Sequence, residues 1–362
     1  MAVAVVLVLV AVVNGFLFYS REPVRPVDIQ PMKPTLALLP SCYASEVKFH
    51  GHSDVLDERK YAGMKVGGLS GLEYDPNQGL YYVLADSGVE NTPARFYTLK
   101  PLVEQRRLTD LVITDVTVLH DPRGKPFTGA TFDGEDIAVT SEGELLISSE
   151  VEPSIRRFSL DGSFLSKLEV PQKFLVEPEG YAQVNATFES LELSPNGRSL
   201  FTANERPLVA DGPRSSEERQ RVRLLRYEAR GSSEFEPSQE FFYLTEPGEG
   251  VSAIAALSES ELLILEKHER QIFRASLNEG EDVSDEDSLA TSSTRPLGKE
   301  LLVDVDDYCP LPSDDKNSLG HLEAMSLGAE LPGGRQELLL QSDDDFTTSQ
   351  KTYTILLSIG VE

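Results

Sequence analysis

Residues 68–88, GLSGLEYDPNQGLYYVLADSG, read as an apolar strand entered by Ser70, a turn at 75–79 and a second apolar strand closed by Asp86. The same order of features returns at 134–150 (GEDIAVTSEGELLISSE), 188–205 (FESLELSPNGRSLFTANE), 251–267 (VSAIAALSESELLILEK) and 322–343 (LEAMSLGAELPGGRQELLLQSD). These are five copies of one strand-turn-strand unit with a polar residue at each end. A chain that repeats one supersecondary unit buries its apolar faces by stacking the copies against each other.

Working outward from each copy, the sequence predicts a third and a fourth strand. They fall at 95–102 and 110–120, at 154–160 and 164–170, at 221–229 and 239–244, and at 271–277 and 299–305. The last copy has only 351–359 before the chain ends. Its missing partner is available upstream in SEVKFHGHSDVL, 45–56, which alternates like a strand and has no strand partner nearby. Four-stranded units arranged radially and closed by a strand from the other terminus make a β-propeller. The expected fold class is therefore all-β, with five blades counted; a sixth would have to be hidden in the long connections. No long run shows a helical apolar period with caps. Two polar insertions, 211–222 and the acidic 278–295, read as loops, the second as a mobile one.

Sixty acidic residues against 33 basic ones give a formal charge of -27, which argues against nucleic acid or an anionic membrane surface as partner. Cations, or a cationic or metal-chelated substrate, fit this balance. The first twenty residues carry no charge and form an apolar run, read as a signal peptide or an N-terminal membrane anchor. Residues 21–44 are a proline-rich tether, leaving 45–362 as the folded domain. That domain is expected to be secreted, periplasmic or otherwise extracytoplasmic, touching a membrane only through the N-terminal segment, and monomeric. In such a compartment the two cysteines, Cys42 and Cys309, are expected to form a disulfide.

In an antiparallel pair the start of the first strand and the end of the second share one edge, and in a propeller that edge is a mouth of the central channel. Aligning the copies puts Ser70, Glu135, Glu189, Ser252 and Glu323 at the first position, and Asp86, Glu150, Glu205, Glu266 and Asp343 at the second. A carboxylate ring this dense needs cations or raised pKa values. An oxygen-rich, histidine-poor donor set suits hard ions, above all Ca²⁺. The metal ligands predicted are Asp86, Glu135, Glu150, Glu189, Glu205, Glu266, Glu323 and Asp343, with Glu189, Glu205 and Asp343 also placed as catalytic. Arg206, Lys267, His321 and Ser70 are the candidates for holding substrate. His50, His52 and Asp54 share a face of the closing strand, on the outer edge of a blade, and read as a solvated face. No G-x-S-x-G elbow is present, which disfavours a serine esterase of the α/β-hydrolase type.

FESLELSPNGRSLFTANERPLVADG at 188–212, together with SGLEYD, DGEDIA and LLLQSDDDFTTSQKT at 338–352, resembles the phytase-like domain family, which is described by an esterase-like activity of phytase. The resemblance runs from about Val66 to the C-terminus. It implies an extracytoplasmic propeller, calcium-dependent in its chemistry, that acts on phosphate esters. The sequence departs from the family pattern at Glu135-Asp136 and at Asp345. The expected function is that of a metal-dependent phosphoric-ester hydrolase whose partners are a small phosphate ester and a divalent cation. The alternative is a non-catalytic propeller that binds a cation, glycan or protein ligand at the same mouth.

Overall fold

The computed structural model describes residues 46–86, 92–213, 215–231, 234–311 and 319–361. The N-terminal segment, the tether and Cys42 lie outside the described residues, and Cys309 is buried. Five four-stranded antiparallel sheets form the blades of a β-propeller. From the channel outward, the first blade is Leu69–Asp75, Leu80–Ala85, Arg95–Glu104 and Arg107–Val118. The second is Gly134–Val139, Glu144–Ser149, Ser154–Ser159 and Phe164–Lys167. The third is Phe188–Leu193, Ser199–Asn204, Arg221–Ala229 and Phe235–Leu244, and the fourth is Val251–Ala256, Glu261–Glu266, Gln271–Ser276 and Gly298–Asp304. The fifth runs His321–Leu331, Arg335–Asp343 and Thr354–Gly360, and its outermost strand is Val47–Ser53, so the N-terminal strand closes the ring as expected.

The second strands are apolar on both faces because each face meets a different blade. Leu145 and Ile147 pack with Phe96 of the first blade, whereas Leu146 packs with Leu191 and Leu225 of the third. Five such inter-blade cores run around the circle, the last joining Leu340 and Ile355 of the fifth blade to Leu263 and Leu265 of the fourth. Among the described residues the only other sheet is a small hairpin, Lys60–Tyr61 with Met64–Lys65, so no sixth blade is found there. Among the described residues helix is confined to single turns such as Val305–Tyr308.

The acidic insertion at 278–295 departs from expectation: it is packed along the outer strand of the third blade. Val283 and Leu289 are fully buried with Phe242. Arg223, also fully buried, forks onto Asp211 at 2.7 and 2.9 Å, reaches Glu240 at 2.7 Å and donates to the carbonyls of Val283 and Glu286. The acidic composition suggested solvation, but the loop's carbonyls and two apolar side chains serve a buried cation and a core. His50, on the closing strand, is held at the outer edge by Ser358 Oγ (2.7 Å) and the Arg106 carbonyl (2.9 Å).

Candidate functional site

One irregularity recurs in every blade. Each inner strand carries a β-bulge near its start, where one extra residue stands against the second strand: Ser70, Glu135 with Asp136, Glu189, Ser252 and Glu323. A bulge breaks the alternation of side chains and re-aims the extra residue. These are the first-position residues predicted from sequence, and the bulges give them a common structural setting.

The register also fixes the second position. Opposite the residue before each bulge stand Ala85, Ser149, Asn204, Glu266 and Ser342. The residues that follow are Asp86, Glu150, Glu205, Lys267 and Asp343. The backbone confirms the equivalence: the N–H groups of Asp86, Glu150, Glu205 and Lys267 donate to the carbonyls of Gly68, Asp133, Thr187 and Gly250 at 2.7, 3.0, 2.8 and 3.0 Å. Lys267, not Glu266, therefore occupies the fourth blade's place in the ring. Glu266 is fully buried on the opposite side of the strand, where it accepts from Tyr243 Oη (2.7 Å), the Glu246 N–H (2.9 Å) and Lys299 Nζ (2.8 Å). Its predicted role as a metal ligand is replaced by a structural one.

Lys267 Nζ lies 2.8 Å from Glu323, 3.1 Å from Glu189 and 3.9 Å from Glu205. Burial alone would lower its pKa; the three carboxylates outweigh this and hold it well above the ordinary lysine value. Glu205 also pairs with Arg206 Nε at 2.9 Å. Arg206 is buried, donates through Nη1 to the Gly248 carbonyl (3.0 Å) and through Nη2 to His268 Nε2 (2.8 Å). Three of its five N–H groups thus serve the protein itself, tying Glu205, Gly248 and His268 together. His268, which the sequence reading did not single out, stands perpendicular to His321 with ring centroids 6.0 Å apart, and His321 Nδ1 is 3.7 Å from Glu323. Because Arg206 can only donate, His268 Nε2 must accept. Burial and the adjacent guanidinium lower the His268 pKa. Ser70 is buried, and its hydroxyl donates to the Gly134 carbonyl at 2.9 Å.

The other side of the mouth gathers Asp86, Asp133, Asp343 and Asp345, with Arg95 near Asp86. Burial, reinforced by Asp133 and Glu323, pushes Asp86 well above the usual carboxylate range, and burial with Asp86 and Glu323 nearby does the same to Asp343. Glu135 is raised by burial and by Glu189, Glu150 and Asp133. Glu189 is raised by burial despite Lys267. Burial pushes Glu150 up to about 7, against the Thr187 N–H that its Oε1 accepts. Asp343 Oδ1 accepts the Asp345 N–H (2.8 Å), but its Oδ2 and Asp86 Oδ1 meet no hydrogen-bond donor among the described residues. Asp133 and Asp345 are members of this group that sequence alignment missed, because they lie one step outside the repeated positions.

A second acidic group, Asp57, Glu58 and Asp344, has oxygens within 4.8 Å of one another, a spacing found for no other group of three among the described residues. It already holds a cation, Lys65 Nζ, at 3.1 Å from Glu58 and 3.4 Å from Asp344. No three of the mouth carboxylates come that close among the described residues.

Deeper in the channel, carboxylates serve the backbone. The inner strands present N–H groups with no strand partner, and side chains from the preceding blade accept them. Glu73 accepts from Val139 (3.2 Å), Asp136 from Leu191 (2.7 Å) and Glu192 from Ala256 (3.0 Å), while Ser326 Oγ accepts from Tyr74 (3.1 Å).

A family model described as phytase-like, esterase-like activity of phytase, matches residues 64–346. The chain belongs to the phytase-like family. No curated protein matches it. Among solved structures, the periplasmic gluconolactonase of Pseudomonas aeruginosa is 15% identical, with 84% of this chain and 91% of that one covered at a TM-score of 0.36. A glucose dehydrogenase is 14% identical over 82% of each chain, TM-score 0.38, and the protein U3-55K is 12% identical over 86% of this chain and 98% of that one, TM-score 0.39.

Proposed function

We propose that this phytase-like protein is an exported, divalent-cation-dependent phosphoric-ester hydrolase, and that Ca²⁺ is the ion its oxygen-rich mouth takes. The observation that carries the reading is the division of the mouth. On one side Asp343, 1% exposed and with an Oδ2 that meets no donor among the described residues, stands with Asp86 and Asp345, and Asp133 lies beside Asp86; Glu323 lies between this side and Lys267. On the other are Lys267, Arg206, His268 and His321. Buried carboxylate oxygens without donors are costly unless a cation meets them, which is the fit expected of a hard-ion site. Asp86 and Asp343, whose oxygens are left without donors, would hold the ion. When bound, such an ion neutralises phosphate oxygens and acidifies a water.

The remaining work falls to the chain's own residues. Lys267 gives the anionic ester a positive charge and the imidazoles of His268 and His321 give it a hydrogen-bonding wall. Arg206 fixes Glu205 and keeps the His268 proton on Nδ1, so that N–H is available to a phosphate oxygen. Glu150, poised near neutrality, is the carboxyl suited to give a proton to a leaving alkoxide. Glu189 and Glu205 are each tied to a cation and position Lys267 and Arg206 at the mouth. The acidic surface and the uncharged first twenty residues support an exported protein acting on a small phosphate ester rather than on nucleic acid.

A second reading, ion binding without turnover, is favoured by one observation: Lys267, the ammonium nearest the ring, is taken up by Glu189 and Glu323 at 3.1 and 2.8 Å. One assay separates the two. Purified protein with Ca²⁺ is expected to hydrolyse inositol hexakisphosphate or a chromogenic phosphomonoester, with chelator or Asp343→Asn lowering kcat/KM by about tenfold or more. Hydrolysis no faster than that of the variant, with Ca²⁺ still bound, leaves the binding-only reading.

A further inference from the structure

The strand order of each blade sends the connections that follow its second and fourth strands to the mouth face. Exposed apolar side chains are spread unevenly over those connections. Among the described residues Val151, Tyr181, Val184 and Val209 stand exposed on the mouth-face connections of the second and third blades, whereas Val55 is the only large apolar side chain exposed on the other connections of that face. Val151 directly follows Glu150. Tyr181 and Val184 lie on the connection that enters the inner strand of the third blade, and Val209 lies on the one that leaves Glu205.

These side chains stand on a fixed base. Phe174, Ala182 and Leu208, from the same connections, are buried in the core between the second and third blades. The connections are also fastened to each other: the Val209 N–H donates to the Tyr181 carbonyl at 2.8 Å, and Gln183 Nε2 donates to the Pro207 carbonyl at 2.7 Å. The Thr187 N–H donates to Glu150, which ties the end of the same loop to the residue before Val151. Tyr181, Val184 and Val209 are nonetheless 48, 77 and 52% exposed, while their apolar neighbours in the chain are buried. Apolar groups held out on a rigid rim beside a polar mouth suit a ligand with a polar head and an apolar body.

We propose that Val151, Tyr181, Val184 and Val209 form an apolar subsite for the alcohol half of the ester, so that the substrate is a phosphomonoester of an apolar alcohol rather than a polyanion. This rests on the phosphate-ester reading of the mouth. In that hydrolysis water adds at phosphorus and the bond from phosphorus to the alcohol oxygen breaks. The departing alkoxide takes the proton of Glu150, and the attacking water returns one. The alcohol therefore leaves beside Glu150, next to Val151 in the chain and joined to the loop of Val184, while the phosphate faces Lys267, His268 and His321. Charge points the same way. Further phosphates on the alcohol would stand against Glu150, Glu189 and Glu205, which repel them, whereas an apolar body meets no such cost.

The test compares the full chain in Ca²⁺ with a variant carrying Tyr181→Ser, Val184→Ser and Val209→Ser, all at exposed positions that leave the core untouched. Calorimetric titration with methylphosphonate and hexylphosphonate, which cannot be hydrolysed, reads binding apart from turnover. Phosphate release from methyl phosphate and hexyl phosphate reads kcat/KM. Wild type is expected to favour the hexyl member of each pair by about tenfold, since full burial would favour each methylene by about fourfold and an open rim covers only part of the chain. The variant is expected to lose that preference and to keep its methylphosphonate affinity and its kcat/KM for methyl phosphate within about twofold of wild type. Phosphate release by a wild type with no hexyl preference, or a variant that keeps the preference, overturns the subsite and leaves the phosphate-ester reading standing. No release from either ester overturns that reading; a hexyl preference in phosphonate binding then keeps the subsite as one for an amphiphilic anion. Sedimentation of both proteins accompanies the titrations. A wild-type dimer that the variant splits shows the rim covered by a second copy of the chain and overturns the assignment.

Discussion

Replacing Glu73 by glutamine should stabilise the protein, and the gain should grow with pH. Glu73 lies on the inner strand of the first blade, enclosed in the channel, and burial followed by the nearby Asp75 pushes its pKa from 4.5 up to about 8. A folded pKa above the unfolded one means that the folded state binds the proton more tightly between those values. Stability from this group therefore falls as pH rises through that window and is unaffected below it. The interval from 4.5 to about 8 is 3.5 units, which at about 1.4 kcal/mol per unit gives a ceiling of about 5 kcal/mol. Relaxation and channel water reduce this to about 2–4 kcal/mol. Glutamine keeps an oxygen for the Val139 N–H, now at 3.2 Å, so the substitution removes the charge and little else. Denaturant unfolding of wild type and Glu73→Gln in chelator, at about pH 5 and about pH 8.5, measures the difference. The two proteins should be close at the lower pH, with the variant ahead by about 2–4 kcal/mol at the higher. A gap that does not change with pH, or that closes as pH rises, would refute the reasoning.

Ser70→Ala should cost about 1 kcal/mol in an unfolding experiment, the worth of its bond to the Gly134 carbonyl, and should leave kcat within about threefold of wild type; a loss of several orders of magnitude would restore it as a nucleophile. Breaking the fully buried Arg223–Asp211 pair by Arg223→Met should cost about 3–5 kcal/mol. Hydrogen exchange should show residues 278–295 losing protection before the blades do, and uniform loss across the chain would contradict the clamp assigned to Arg223.

The blades were legible in sequence because a strand pair is a local object. Turn residues such as those at 75–79 punctuate it, and the second strands read as continuous apolar runs because both faces meet neighbouring blades. The closing strand was legible by subtraction, since the last repeat lacked a partner and Val47–Ser53 supplied it. The acidic insertion at 278–295 misled because composition reports hydration of an isolated segment, whereas Arg223 and Phe242, remote in sequence, are what hold it.

The mouth was only partly readable. By itself the sequence determined a repeated fold with acids at recurrent strand ends, because strand, turn and polar terminus are written within about twenty residues of each other. Which acid faces the channel was decided by tertiary structure. Glu266 and Lys267 are adjacent, and a one-residue step sends a strand side chain to the opposite face. Only the register against the inner strand, with its bulge at Ser252, puts the lysine in the ring and the glutamate against Tyr243. The same holds for the orphaned oxygens of Asp86 and Asp343: their lack of partners is a property of the closed ring, in which the fifth blade meets the first.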